Sequence, residues 1–353
     1  MDTLNCENFY KSNLLVEQHF HGCFGVDFST CDAKDILLLA KKMLQHGIGG
    51  FFPTLVTDSV ENIKRQIEQI KIAKASQTEE MAEILGIHLE GIFINPNKKG
   101  IHNEKLFLAP TIENYKLIED DLIKIVTLAP EFDENNELTR YLTLKGIKIQ
   151  AGHCVGSDLS NCHGVTHLFN AMGGINHREK STALSALIND KIYTEIIADG
   201  IHLSDDILSL IFKSKPQDKV ILVSDSLPFA GMSATSPSPL AGEGRTSEQG
   251  TSSRSSGEGY CLKEINFAGE KIFFDGEKAT SSEGTIAGST AILDEIIARL
   301  TNNDPENFEK YVKMASDNLY KYHNIKLNGC VYWDENFNIV AVEKGEFVLY
   351  KNV

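Results

Sequence analysis

The sequence predicts an α/β protein built as a (β/α)8 barrel of the TIM type, and three observations carry that prediction. Short apolar, β-rich runs recur eight times along the chain. Most are separated by stretches with helical spacing, and such alternation implies a parallel sheet. Nearly every run also ends in a polar, reactive residue, as expected where a site is assembled from the C-terminal ends of different strands.

The runs are residues 14–18, 47–52, 83–89, 123–129, 146–151, 164–169, 193–198 and 219–224. The stretch 33–46, AKDILLLAKKMLQH, shows the intervening pattern, with apolar residues at helical spacing and Gly47 as its stop. The strand-end residues are His19 and His21, Thr54, Glu90, Glu131, His153, His167, Asp199 with His202, and Asp225. Wet loops alone would favour Asp, Asn, Ser and Gly there, not a set of five histidines. After about Tyr260 the chain mixes β-like pieces with a helical block at 290–323, and the last 25 or so residues read as hairpins of a small accessory β-unit. Residues 233–259 are low in complexity and almost free of large apolar side chains, so they read as a disordered surface insertion.

Bulk composition narrows the function. The chain has 353 residues, 42% hydrophobic and 24% charged, which suits an ordinary globular protein with a substantial core. Its net charge of −15 argues against a nucleic-acid partner. No apolar run is long enough for a membrane helix, and the N-terminus lacks the basic-then-apolar pattern of a signal peptide. Seven cysteines without a C-x-x-C pair read as reduced thiols of a cytoplasmic protein.

The H-x-H of His19 and His21 follows the first strand. In an extended segment residues i and i+2 point the same way, so both imidazoles can reach one ion. Glu90 closes the third strand, and His153 and His167 belong to the fifth and sixth. Imidazoles with a carboxylate and an open position are the usual composition of a catalytic zinc-type site. Asp225, at the end of the eighth strand, can serve such a site as general base and then general acid.

That joint pattern resembles the amidohydrolase superfamily. The motifs GIHLEGIFINPNKKGIH, LAPE, AGHC, THLFNAM, NHRE, ADGIHL, VSDSLPFAGM and GTIAGS, in this order between about Leu14 and Leu300, resemble the N-acetylglucosamine-6-phosphate deacetylase family. The resemblance implies a metal-dependent barrel that hydrolyses the acetamide of N-acetylglucosamine 6-phosphate to glucosamine 6-phosphate and acetate. It implies Glu90, His153 and His167 as principal metal ligands, His19 and His21 for a second ion, and Asp225 as catalytic acid/base. The cofactor is then one or two divalent ions, with zinc expected. It implies a sugar phosphate held by His102, Asn170, Ala171, Arg178 and His202, with a further contact from Ile286, Ala287 and Gly288. Arg178 is expected to act across the interface of a homodimer. Two alternatives remain open: a member that binds without turnover, and an amidohydrolase for another N-acyl amino sugar.

Four departures from the family pattern accompany the resemblance. Relatives carry a further β-rich segment before the H-x-H strand, so the domain reading is a barrel over 14–325 and, at 326–353, the C-terminal strands of a small β-sandwich without its usual N-terminal half. Ile92 replaces a proline, which is expected to change loop stiffness. Cys154 replaces a serine and is expected to be inert. Finally, His153 and His167 are separated by 14 positions where relatives have roughly twenty, so the crossover at 155–164 has room for about two helical turns at best and is the expected weak point.

Overall fold

The computed structural model describes residues 9–156, 158–232 and 263–351; the insertion expected at 233–259 lies outside them. Eight parallel strands form the barrel: β1 (Leu15–Phe20), β2 (Ile48–Leu55), β3 (Ile87–Glu90), β4 (Ile123–Leu128), β5 (Lys148–Ala151), β6 (Gly164–Val165), β7 (Tyr193–Ile196) and β8 (Val220–Leu222). They neighbour one another in chain order. The barrel shuts where Asp225 N–H donates to the His19 carbonyl at 2.8 Å and His21 N–H donates to the Ser226 carbonyl at 2.8 Å. The buried Glu17 carboxylate reinforces that seam, accepting from His19 N–H at 3.1 Å and Ser224 N–H at 3.0 Å. Burial pushes the Glu17 carboxyl up to about 8 despite these bonds.

The crossovers carry α1 (Ala33–Gln45), α2 (Val60–Ala75), α3 (Ile112–Lys116), α4 (Glu137–Leu144), α5 (Thr182–Ile188) and α6 (Asp205–Ser214). Their starts follow from local chemistry. Asp32 caps α1 in a reciprocal box with Asp35, and Ser59, Ser181 and Ser204 cap α2, α5 and α6 by accepting a first-turn N–H. After β8 the chain forms an antiparallel four-stranded sheet (Lys263–Phe267, Glu270–Phe274, Ala279–Ser281, Ile286–Gly288). It then returns to the barrel wall as α7 (Leu293–Asn303), α8 (Phe308–Met314) and α9 (Asp317–His323), so the expected helical block is three helices. Among the described residues no helix is long and apolar enough to cross a membrane.

The accessory sheet takes strands from both ends of the chain. Gly329–Trp333, Ile339–Lys344 and Phe347–Tyr350 are joined by Tyr10–Asn13, which pairs antiparallel with Gly329–Trp333. Trp333 is buried, and its indole N–H donates to Ser12 Oγ at 2.9 Å. Val331, Ile339 and Val342 pack into the same apolar core as the barrel.

Between β5 and β6 the described residues form no helix. The sixth strand is also shorter than its sequence suggests, with ladder pairing only at Gly164 and Val165. The missing helix leaves its neighbours uncovered: Leu144, the last residue of α4, is 89% exposed. Side chains brace the link in place of a helix. Val155 N–H donates to Glu131 Oε1 at 2.7 Å, Leu159 is buried, and His163 exchanges two bonds with Ile149: its backbone N–H donates to the Ile149 carbonyl at 2.8 Å, and its Nδ1 accepts from Ile149 N–H at 3.1 Å. His163, a loop residue without a role in the sequence, therefore sets the register of β6.

An Nδ1 that accepts must be unprotonated. Burial, with help from the charge of Lys148, lowers the His163 pKa, so its contribution to stability is complete above the unfolded value of about 6.5 and declines as pH falls from there through the lower folded value. His163→Ala strands the Ile149 N–H and is expected to cost about 1–3 kcal/mol. Denaturant melts between pH 5 and 8 check this: the variant should lose the part of the acid dependence that His163 supplies, and an unchanged pH slope would contradict the assignment.

Candidate metal centre

The ends of the strands converge on a cavity of about 660 Å³. A shared backbone device delivers the side chains. His153, His167 and Asp225 each lie just beyond their strand in the left-handed region, at φ 48°, 31° and 52°. Non-glycine residues there are strained by about 1–3 kcal/mol each, and such strain clusters where a side chain must leave its strand in a fixed direction.

Glu90 stands at the middle. Its Oε2 lies 3.1 Å from His19 Nε2 and 3.1 Å from His21 Nε2, and these nitrogens lie 3.4 and 3.1 Å from Asp225 Oδ1. Its Oε1 lies 3.2 Å from His153 Nε2 and 2.9 Å from His167 Nε2, which are 3.2 Å from each other. One carboxylate thus faces two imidazole pairs, one with each oxygen. Two ligands about 2.1 Å from one tetrahedral ion stand roughly 3.4 Å apart, so the nitrogen spacings match donors around a shared ion. His19 Nε2 is buried without a hydrogen-bond partner, although two carboxylate oxygens face it. The residues fit a divalent ion: Glu90 and the four imidazoles would supply its donors.

The electrostatics agree. Burial alone would raise Asp225, but the charge of His19 and the charge and hydrogen bond of His21 outweigh it and hold the carboxyl down at about 2. Burial disfavours protonated His21 as well, yet Asp225 and Glu90 lift it to about 9. Glu90 is likewise held well below the usual carboxylate range against burial by His19, His153 and His167.

The substrate side is built from loops. His102, Asn170, Ala171, His202, Ile286, Ala287 and Gly288 all line the cavity. Arg178 does not; it lies exposed after Asn176, which accepts its backbone N–H. His202 is held by Asp199, whose Oδ2 is 2.8 Å from its Nδ1. Burial opposes its protonation, and Asp199 more than compensates. His102 Nδ1 accepts from Thr57 N–H at 3.4 Å and meets Thr57 Oγ1 at 2.9 Å, which leaves Nε2 as the N–H of a neutral ring. Burial first, then the nearby His153, push its pKa down to about 3.

Two departures from the family pattern gain a physical account. Ile92 sits at φ 59° and donates its N–H to Thr57 Oγ1 at 2.7 Å. Proline can do neither, so the replacement changes how the loop is held, beyond its stiffness. Cys154 is buried, with Sγ 3.5 Å from Thr182 Oγ1, and burial pushes its thiol up to about 12. It is a poor nucleophile, in line with the expectation. Gly91, between Glu90 and Ile92, is at φ 102°, and an added Cβ would lie 2.2 Å from Thr57 Oγ1 and 2.7 Å from His102 Nδ1. Gly91→Ala is therefore expected to cost about 1–3 kcal/mol and to displace His102. A thermal melt with a Michaelis constant checks both; native values for both would contradict the geometry.

Several contributors are silent in the sequence. Lys98 and Lys99 line the cavity, and the Lys98 carbonyl accepts from His153 Nδ1 at 2.8 Å. Phe267, on the sheet that follows β8, packs on His21 with ring centroids 5.3 Å apart. Below the site lies a buried polar layer. His88 Nδ1 donates to the Gln18 carbonyl at 3.0 Å, its Nε2 meets Thr127 Oγ1 at 2.8 Å, and Thr127 meets Thr166 at 2.7 Å. Burial, then the charge of His19, lower His88 to about 4, so the ring is neutral.

A barrel whose strand ends gather four imidazoles and Asp225 around the Glu90 carboxylate belongs, by fold and site, to the metal-dependent amidohydrolase class. No protein-family model matches the chain. It is 30% identical over 293 residues to N-acetylglucosamine-6-phosphate deacetylase of Bacillus subtilis (strain 168), a match covering 80% of this chain and 67% of that protein. It is 34% identical over 240 residues to the enzyme of that name from Homo sapiens, covering 62% of this chain and 58% of that one. A crystal structure of N-acetylglucosamine-6-phosphate deacetylase from Pasteurella multocida superposes with a TM-score of 0.81 at 21% identity, covering 97% of this chain and 87% of that one. The chain belongs to the N-acetylglucosamine-6-phosphate deacetylase family.

Proposed function

We propose that the protein hydrolyses the acetamide of N-acetylglucosamine 6-phosphate, releasing acetate and glucosamine 6-phosphate in the cytoplasm. The observation that carries this reading is the Glu90 carboxylate set between two imidazole pairs, with Asp225 ionised beside them. His153, His167 and Glu90 would hold the principal ion and His19 and His21 a second, with zinc fitting the imidazole and carboxylate donors. Once bound, the metal would supply Lewis acidity to the amide carbonyl and acidify water.

The chain's own residues do the rest. Asp225 accepts a proton from the attacking water as the oxygen–carbon bond forms, then passes it to the nitrogen so that the C–N bond breaks with a neutral amine leaving. His102 offers its Nε2–H to the substrate from a ring that Thr57 and Ile92 keep oriented. His202, Asn170 and Ala171 line the cavity and take the sugar phosphate, with Ile286–Gly288 lining it as a further contact. Arg178, exposed outside the cavity of its own chain, is assigned to the phosphate of a second copy in a homodimer, where its planar donor fork suits the anion.

A further relative, from Escherichia coli O157:H7, is named N-acetylgalactosamine-6-phosphate deacetylase and is 26% identical over 312 residues. The test is accordingly a panel: N-acetylglucosamine 6-phosphate, its 4-epimer, and N-acetylglucosamine without phosphate. The reading expects the highest kcat/KM for the first and a large loss without the phosphate. A preference for the epimer would move the substrate assignment, and indifference to the phosphate would overturn it.

A further inference from the structure

Glu195 is a carboxylate of the polar layer beneath the site, and it projects into the barrel from β7. It is fully enclosed, at 1% exposure. Three donors converge on it: Gln18 Nε2 at 2.6 Å on Oε1, and His19 Nδ1 at 3.0 Å with the backbone N–H of His167 at 3.2 Å on Oε2. A carboxylate satisfies three converging donors; the carboxamide of glutamine offers one acceptor oxygen and would turn two hydrogens toward the others.

The consequences for the two imidazoles differ. Accepting from His19 Nδ1–H fixes the tautomer and leaves Nε2 with its lone pair toward Glu90 and Asp225. That is the atom with no hydrogen-bond partner. For His167 the contact is to the backbone only, and the ring Nδ1 has no partner among the described residues. Glu195 therefore orients the ring of His19 and only anchors the chain at His167.

We propose that Glu195 is a positioning residue for the reaction: it locks His19 as a ligand and thereby sets occupancy of the His19/His21 position, leaving the His153/His167 position largely independent of it. This rests on the metal reading given above. Carboxylates that hold a ligating histidine in this way commonly change metal affinity about 10- to 100-fold when removed.

The test is equilibrium dialysis of the metal-stripped full chain against graded Zn²⁺, with elemental analysis, repeated with Co²⁺ to read the absorption of each position. Wild type is expected to take up two ions. Glu195→Gln should bind its tighter ion within a few-fold of wild type and its weaker ion about 10- to 100-fold more loosely, and Glu195→Asp should recover part of the difference. Should Glu195→Gln fail to fold, Gln18→Met removes the bond on the far oxygen and should weaken the same ion to a smaller degree. Unchanged affinity for both ions, equal weakening of both, or a wild-type chain that takes up one ion would overturn the proposal. A wild-type chain that takes up none would overturn the function proposed above.

Discussion

In Asp225→Asn, kcat for acetate release falls by about 10²- to 10⁴-fold, the range a positioned proton-transfer group contributes. Asp225 is held at φ 52° by the seam that closes the barrel, where its own N–H donates to the His19 carbonyl. Asparagine tolerates that conformation better than most residues, so the variant keeps its backbone. It loses the proton acceptor and the negative charge that faces His19 and His21. The measurements are kcat, KM and metal content together: KM and the tighter ion should change little while kcat collapses. Full activity in the variant would remove Asp225 from the mechanism.

Glu90→Gln strikes both halves of the centre. The wild-type carboxylate gives one oxygen to His19 and His21 and the other to His153 and His167. The amide keeps one acceptor and sets an NH2 against the other imidazole pair, whose lone pairs are meant for an ion. Removing one member of a buried charged cluster commonly costs about 3–5 kcal/mol because the remaining charges are left unpaired. The expected result is loss of both ions on dialysis, activity below detection, and a lowered melting temperature that added Zn²⁺ does not restore. Wild type stripped by a chelator should, by contrast, regain both activity and melting temperature with added ion, since a ligand that binds only the folded state stabilises it. A variant that retains one ion with measurable turnover would contradict the assignment of Glu90 to both imidazole pairs.

The sequence made some of this legible and hid the rest for physical reasons. Apolar runs ending in His, Glu or Asp marked where the barrel strands stop, because a wall strand must be apolar while its C-terminal end opens on the site. His19, His21, Glu90, His153, His167 and Asp225 were all visible in that way, and the structure places them around one point. The left-handed backbone at His153, His167 and Asp225 was not, since none is glycine.

Glu195 was hidden for a different reason. A carboxylate at an inward strand position is unusual, but its donors come from residues 18, 19 and 167, and only the closed barrel brings those together. Thr57 is likewise unremarkable until Ile92 and His102 both meet its hydroxyl. Tyr10–Asn13 is too short and polar to stand out as a strand, and its pairing with Gly329–Trp333 depends on the far end of the chain. The short crossover was legible as a count of residues. That His163 takes over the helix's work in setting the register was not, because the partner of its ring is a backbone N–H that no sequence pattern reports.

The decisive measurement is acetate release from N-acetylglucosamine 6-phosphate by the purified chain, before and after removal of divalent ions. Turnover should stop on chelation and return on adding Zn²⁺, with one acetate formed for each free amine. Turnover that survives complete removal of metal, or none from a folded chain carrying two ions, would contradict the proposed function.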